Sequence, residues 1–215
     1  MKKIIVLISG QGSNLQAIID HCEKKNISAK IVAVFSNNPQ AYGLQRAKNH
    51  AIPTYSIESK TIEKSIYHQK LFSFLQAYQP DLIVLAGYML ILPKTITDYF
   101  AFKIVNIHPS LLPKYKGLNT HTQVIQNKEI EHGCTVHFVN DILDSGSIIL
   151  QSKFSVIYPT TSLQLQKKVQ EREHIIYPMV IQWYCNGNLS YKNNTLYLND
   201  NKIPQLGLIF ENIHN

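Results

Sequence analysis

Three short stretches of this chain combine residue types and spacings that chemistry requires. Asn106 and His108 stand two apart in Asn106-Ile107-His108-Pro109-Ser110. On a strand, positions i and i+2 share one face, so the two side chains project together. An amide donor beside an imidazole suits an oxyanion or a developing alkoxide. An isolated histidine reads as a buried ring satisfied by a carbonyl, but the pairing with Asn106 ahead of a Pro-rich loop favours function. The second stretch is Ser9-Gly10-Gln11-Gly12-Ser13-Asn14. Glycines between a strand and a helix let backbone N–H groups face an anion at the positive end of the helix. Leu15 stands where a dinucleotide fingerprint needs its third glycine, Phe35-Ser36-Asn37-Asn38 offers no acid for a ribose, and no lysine follows the glycines. A single phosphate monoester is the better ligand, weighed evenly against a bare turn. The third stretch, Asp141-Ile142-Leu143-Asp144-Ser145-Gly146, is ordinary turn chemistry unless a carboxylate comes near His108 and orients it. His132 and His137 differ by five and face opposite sides of a strand, which makes a metal the weak reading.

These stretches need a frame, and the hydrophobic pattern supplies one. Lys3–Ser9, Ala29–Ser36, Pro53–Ile57, Asp81–Ala86 and Lys103–Ile107 read as strands. Between them, Leu15, Ile18, Ile19 and Cys22 mark a helix capped by Ser13 or Asn14, and 41–50 marks a second. A third runs from about Thr61 to Tyr78, with Tyr67, Leu71, Phe74, Leu75 and Tyr78 on one stripe. This alternation implies a mostly parallel sheet, open and twisted, with helices on both faces. In such sheets ligands bind beyond the carboxyl ends of the strands, where Asn106 and His108 fall.

Further along, Thr120–Gln126 reads as a short helix, and Gly133–Val139 and Ser147–Ile157 as strands around a turn at 140–146. A long helix starts near Thr161 or Ser162, carries Leu165, Val169, Ile176, Val180 and Trp183 inward, and is expected to kink at Pro178. From Asn186 the chain holds eight Asn in thirty residues, with a small hairpin edge at Tyr191–Leu198 and loose final residues. The expected organisation is one domain: residues 1–185 as its catalytic body and 186–215 as its edge and tail.

Composition narrows the partners. The 215 residues are 45% hydrophobic and only 16% charged, which excludes a disordered chain or a coiled coil. Net charge is +7, favouring anionic ligands, yet basic residues come at most in pairs, so nucleic acid is not indicated. Three widely spaced cysteines suit a reduced, cytoplasmic protein. The apolar run Ile4–Ile8 is too short for a signal peptide, and Leu82–Leu92 too short for a membrane span.

Taken together, ISGQGSNLQAII at 8–19, NIHPSLLPKYKG at 106–117 and HGCTVHFVNDILDSG at 132–146 resemble the phosphoribosylglycinamide formyltransferase family. AVFSN at 33–37, DLIVLAGYM at 81–89 and QEREHIIYP at 170–178 extend the resemblance over nearly the whole chain. It implies a Rossmann-like formyltransferase fold and formyl transfer from 10-formyltetrahydrofolate to the amine of glycinamide ribonucleotide, in purine synthesis. By the same resemblance Asn106, His108 and Asp144 are the catalytic trio, with no metal. Gly12, Ser13 and Asn14 hold the substrate phosphate, and Gln170 and Glu173 contact its ribose and glycinamide part. The folate lies against Met89, Leu90, Ile91, Leu92 and Asn106, and against Asn140, Asp141, Ile142, Leu143 and Asp144, with Lys64 near its glutamate tail. The implied partners are small molecules only, for a monomer or homodimer.

Three positions depart from the family pattern. Leu90 and Lys64 stand where arginine is usual, and Asn119 replaces a histidine beside the site. Lysine cannot form the bidentate pair that arginine makes with a carboxylate, so the first two bear on the folate tail. Two rivals share the fold: methionyl-tRNA formyltransferase needs a further C-terminal domain, and formyltetrahydrofolate hydrolase a further N-terminal one. A non-catalytic nucleotide-binding module would keep the Gly12–Asn14 loop without the trio.

Overall fold

The computed structural model describes residues 1–193 and 195–210. The chain divides into two compact units, Met1–Asn106 and Ile107–Asn215.

The first unit alternates strand and helix: β1 (Lys2–Ile8), α1 (Ser13–Glu23), β2 (Ala29–Ser36), α2 (Tyr42–Asn49), β3 (Thr54–Ser56), α3 (Lys64–Tyr78), β4 (Leu82–Leu85), α4 (Lys94–Tyr99) and the start of β5 (Ile104–His108). Its strands lie in the order β3-β2-β1-β4-β5, and every pairing is parallel. Ile4 through Ile8 have no exposed surface, which is why β1 shows an unbroken apolar run rather than alternation. On α1, Leu15, Ile18 and Ile19 face the core, while Cys22 is half-buried. On α3, Tyr67, Leu71 and Leu75 are buried. Phe74 and Tyr78 sit at the flank instead, against Tyr55 of β3, with ring centroids 4.9 Å and 5.9 Å from it.

Two expectations need correcting in this unit. The residue that caps α1 is Gly12, in the left-handed region at φ 72°, and no side chain caps the helix. Ser13 and Asn14 are instead its first two residues. The six-residue α4 was not expected, because it is too short to show a periodic stripe.

The second unit begins inside β5 and continues through α5 (Thr120–Gln126), β6 (Glu131–Phe138), β7 (Ile148–Ser155), α6 (Ser162–Cys185), β8 (Leu189–Lys192), β9 (Thr195–Leu198), β10 (Asn201–Lys202) and β11 (Leu208–Phe210). β6 and β7 form an antiparallel hairpin, with Cys134 opposite Ser152. β11 then joins β7 in parallel, with Leu208 opposite Leu150. α6 starts with a capping box: Thr161 Oγ1 accepts from Gln164 N–H at 3.2 Å, and Gln164 Oε1 from Thr161 N–H at 2.8 Å. The helix runs on through Pro178 and buries Leu165, Val169, Ile176, Val180 and Ile181, with Trp183 only half-buried. β8, β9 and β10 make a small antiparallel sheet of their own, not the edge of the main one. The expectation of loose final residues falls on 211–215, outside the described residues.

Candidate active site

In the first unit, three strand ends are tied together. Ser9, just past β1, donates its hydroxyl to Asn37 Oδ1 beyond β2 at 2.5 Å and accepts from Met89 N–H beyond β4 at 2.8 Å. The glycine loop follows Ser9. Its Gly12 takes φ 72°, and a Cβ there would meet Gly43 Cα at 2.7 Å, so both the turn and the close approach demand glycine. Gln16 N–H bonds Gly12 O at 3.0 Å and closes the first helical turn, whose opening N–H groups lie at the positive end of the helix. Ser13 is half-buried and Asn14 is 9% exposed.

The segment after β4 changes character residue by residue. Met89 and Ile91 are exposed, Leu90 is half-buried and Leu92 is buried. Beneath it, Tyr88 and Tyr67 share a hydroxyl–hydroxyl bond of 2.5 Å. Burial pushes the Tyr67 phenol up to about 12 and raises the Tyr88 phenol as well, so both groups stay neutral. Lys64 is the exposed first residue of α3. Asn106, half-buried, lies on β5 opposite Leu85.

In the second unit, His108 and Asp144 meet. His108 Nδ1 is 3.4 Å from Asp144 Oδ2, and the two side chains are 6% and 7% exposed. His108 Nε2–H donates to the Tyr115 carbonyl at 2.7 Å. Asp144 Oδ2 accepts from Gly117 N–H at 2.9 Å. The 114–117 turn therefore supports both groups from its backbone. Its own base is a buried network: Thr135 Oγ1 donates to Ser110 O at 2.6 Å and accepts from Leu112 N–H at 3.0 Å, while Gln151 donates to Leu112 O at 2.8 Å.

A residue dismissed as a metal ligand belongs to this constellation. His137 Nε2 lies 3.8 Å from Asp144 Oδ1. Its Nδ1–H donates to the Phe138 carbonyl at 2.7 Å, and burial pushes its pKa down to about 4 despite the helping carboxylate. The ring is thus neutral at pH 7, and its Nε2 turns a lone pair toward Asp144. The signal was present in the two-residue rhythm of Thr135 and His137 on β6. His132, on the opposite face, contacts His121 at 2.9 Å and is pushed down to about 4, mainly by burial.

Within the 140–144 loop the structure separates two behaviours. Asn140 Oδ1 accepts from Ile142 N–H at 3.1 Å, an ordinary turn, and Asn140 through Leu143 are exposed. Only the Asp144 side chain is turned inward. Gly146 closes the turn against Phe138 O, where any side chain would collide. On α6, Gln170 is half-buried and Glu173 is 6% exposed, one helical turn apart on the same side. Glu173 lies near Cys134, whose buried thiol it helps push up. Asn119 sits at φ 60° ahead of α5. Among the described residues no group of three or more His, Cys, Asp or Glu is arranged to hold a metal, and no helix is long and apolar enough to cross a membrane.

The sequence model of the formyl transferase family matches residues 2–181. The chain belongs to that family. It is 49% identical over 209 residues to phosphoribosylglycinamide formyltransferase of Haemophilus influenzae, covering 96% of this chain and 98% of that one. The enzyme of the same name in Escherichia coli is 44% identical over 205 residues, covering 95% and 97%. Among solved structures, phosphoribosylglycinamide formyltransferase from Coxiella burnetii superimposes with a TM-score of 0.92 at 42% identity, covering 98% and 99%. The mostly parallel sheet with its helices is thus the formyltransferase fold.

Proposed function

We propose that this chain transfers the formyl group of 10-formyltetrahydrofolate to the amino group of glycinamide ribonucleotide. The family and the names of its relatives support the reaction class. The observation that carries the mechanism is the buried His108–Asp144 pair, which shares β5 with Asn106 through His108.

The folate supplies the formyl carbon, and the chain's residues supply donors and a proton acceptor. Attack by the amine puts negative charge on the formyl oxygen, and Asn106 and His108 are the donors for it. His108 has its firmer bond at Nε2, 2.7 Å from Tyr115 O, and its looser one at Nδ1, 3.4 Å from Asp144. With Nε2–H held by the Tyr115 carbonyl, Nδ1 donates to the oxyanion as the imidazolium, with the Asp144 carboxylate as its counter-charge. The attacking amine must lose a proton and the folate nitrogen must gain one. Asp144 is the carboxylate for that relay, oriented by Gly117 N–H and facing neutral His137. Gly12, Ser13 and Asn14 take the phosphate, and Gln170 and Glu173 the ribose and glycinamide part. The folate takes Met89–Leu92, 140–144 and Lys64.

Single-turnover formyl transfer in Asn106→Ala, His108→Ala and Asp144→Asn tests this. Loss of one oxyanion donor costs about 10²–10³ in rate. Near-normal turnover in Asp144→Asn would return Asp144 to the role of a turn residue.

A further inference from the structure

Two consecutive carbonyls of the glycine loop are held by α2. Gly10 O accepts from Gly43 N–H at 3.0 Å, and Gln11 O accepts from Arg46 Nε–H at 2.9 Å. Gly43 and Arg46 are three apart, so one face of α2 makes both bonds. In a trans peptide the C=O and N–H point in opposite directions. The N–H groups of Gln11 and Gly12 therefore turn away from α2. A cation on an amide oxygen also withdraws density from that peptide and makes its N–H a stronger donor.

Arg46 is itself well fixed. Its guanidinium carbon lies 4.9 Å over the Tyr42 ring, and Nη1 reaches Gln16 Oε1 at 3.4 Å. The nearby acids are engaged elsewhere: Asp20 accepts from Gln16 at 2.9 Å, and Glu23 faces His50 at 2.6 Å. Among the described residues Arg46 has no carboxylate partner, so its charge is not cancelled. The loop has no cationic side chain of its own.

We propose that Arg46 is a positioning residue of the phosphate site: by holding the Gln11 carbonyl it aims the Gly12 N–H at the substrate phosphate and strengthens that donor. This rests on the phosphate reading of the Gly12–Asn14 loop given above. Arg46 acts from behind the loop and need not touch the ligand.

The test is calorimetric titration of the full chain with glycinamide ribonucleotide and with its 5′-dephosphorylated nucleoside. Wild type binds the ribonucleotide more tightly. Arg46→Met weakens the ribonucleotide roughly tenfold, the scale of one charge-assisted hydrogen bond, and leaves the nucleoside within about twofold. Arg46→Lys recovers only a minor part, because an ammonium does not reproduce the Nε bond beneath Tyr42. The Gly12 amide proton resonance moves downfield on adding inorganic phosphate to wild type, and moves less in Arg46→Met. Unchanged ribonucleotide affinity in Arg46→Met overturns the proposal, as does equal loss of both ligands, which marks a folding defect. Full rescue by lysine overturns it too, since charge alone would suffice. If wild type binds both ligands equally, the phosphate reading fails, and this inference fails with it.

Discussion

Gly117 N–H and His108 Nδ1 converge on the same oxygen of Asp144, at 2.9 Å and 3.4 Å. One carboxylate oxygen is thus shared between a fixed backbone donor and the His108 ring, while Oδ1 faces His137. Gly117 sits at φ 78°, a conformation that costs other residues about 1–2 kcal/mol. Gly117→Ala should lower turnover several-fold while leaving phosphate affinity intact, because only the support of Asp144 shifts. Single-turnover rates and ribonucleotide titration, taken on the same variant, check this.

The glycine loop makes a second prediction. Ser13→Ala or Asn14→Ala should weaken the ribonucleotide and leave folate binding nearly unchanged. Gly12→Ala should do worse, because its Cβ would run into Gly43 Cα at 2.7 Å in addition to the left-handed strain. A loss of about 2 kcal/mol or more in urea unfolding, together with loss of ribonucleotide binding, is expected. Equal loss of both ligands in Ser13→Ala would point away from a phosphate site.

The folate tail is the third. Leu90→Arg or Lys64→Arg should tighten a glutamylated folate more than one lacking the glutamate, because the guanidinium offers a fork to a carboxylate. Equal responses would mean that the tail does not pass these residues.

Protonation gives the fourth. His137 and His132 are both held near pKa 4, below the ordinary 6.5, chiefly by burial. The unfolded chain then binds protons that the folded one refuses, so stability is complete above about pH 6.5 and falls as pH drops toward 4. Urea midpoints from pH 7 to 4.5 should show this decline, and His137→Gln should flatten it after its own loss at pH 7 is subtracted. A variant that declines as steeply as wild type would contradict the assignment.

The parallel strands were legible because full burial leaves continuous apolar runs, as in Ile4–Ile8, and Asn106 with His108 because strand geometry is strictly two-residue. The partnership of His108 with Asp144 spans 36 positions and depends on a hairpin turn, so spacing alone could not supply it. His137 shows in the sequence only as one position of a strand, and the turn that carries Asp144 back to it is a tertiary feature. The cap of α1 was misplaced because side-chain propensity favours Ser or Asn, whereas close packing against Gly43 selected Gly12. β11 went unseen: three residues in an Asn-rich stretch carry no period, and pairing with β7 is a tertiary effect.

The pairing of β11 with β7 also bears on self-association. β7 is eight residues long, and Leu208–Phe210 occupy the flank of Leu150–Ser152. A protein cut after residue 206 would present those N–H and C=O groups to any other extended chain, and an exposed strand of that length is a template for self-association. A three-residue outer strand is a blunter edge. Leu208–Phe210 thus cover that stretch of β7, and a version of the protein shortened before them should scatter more light on storage.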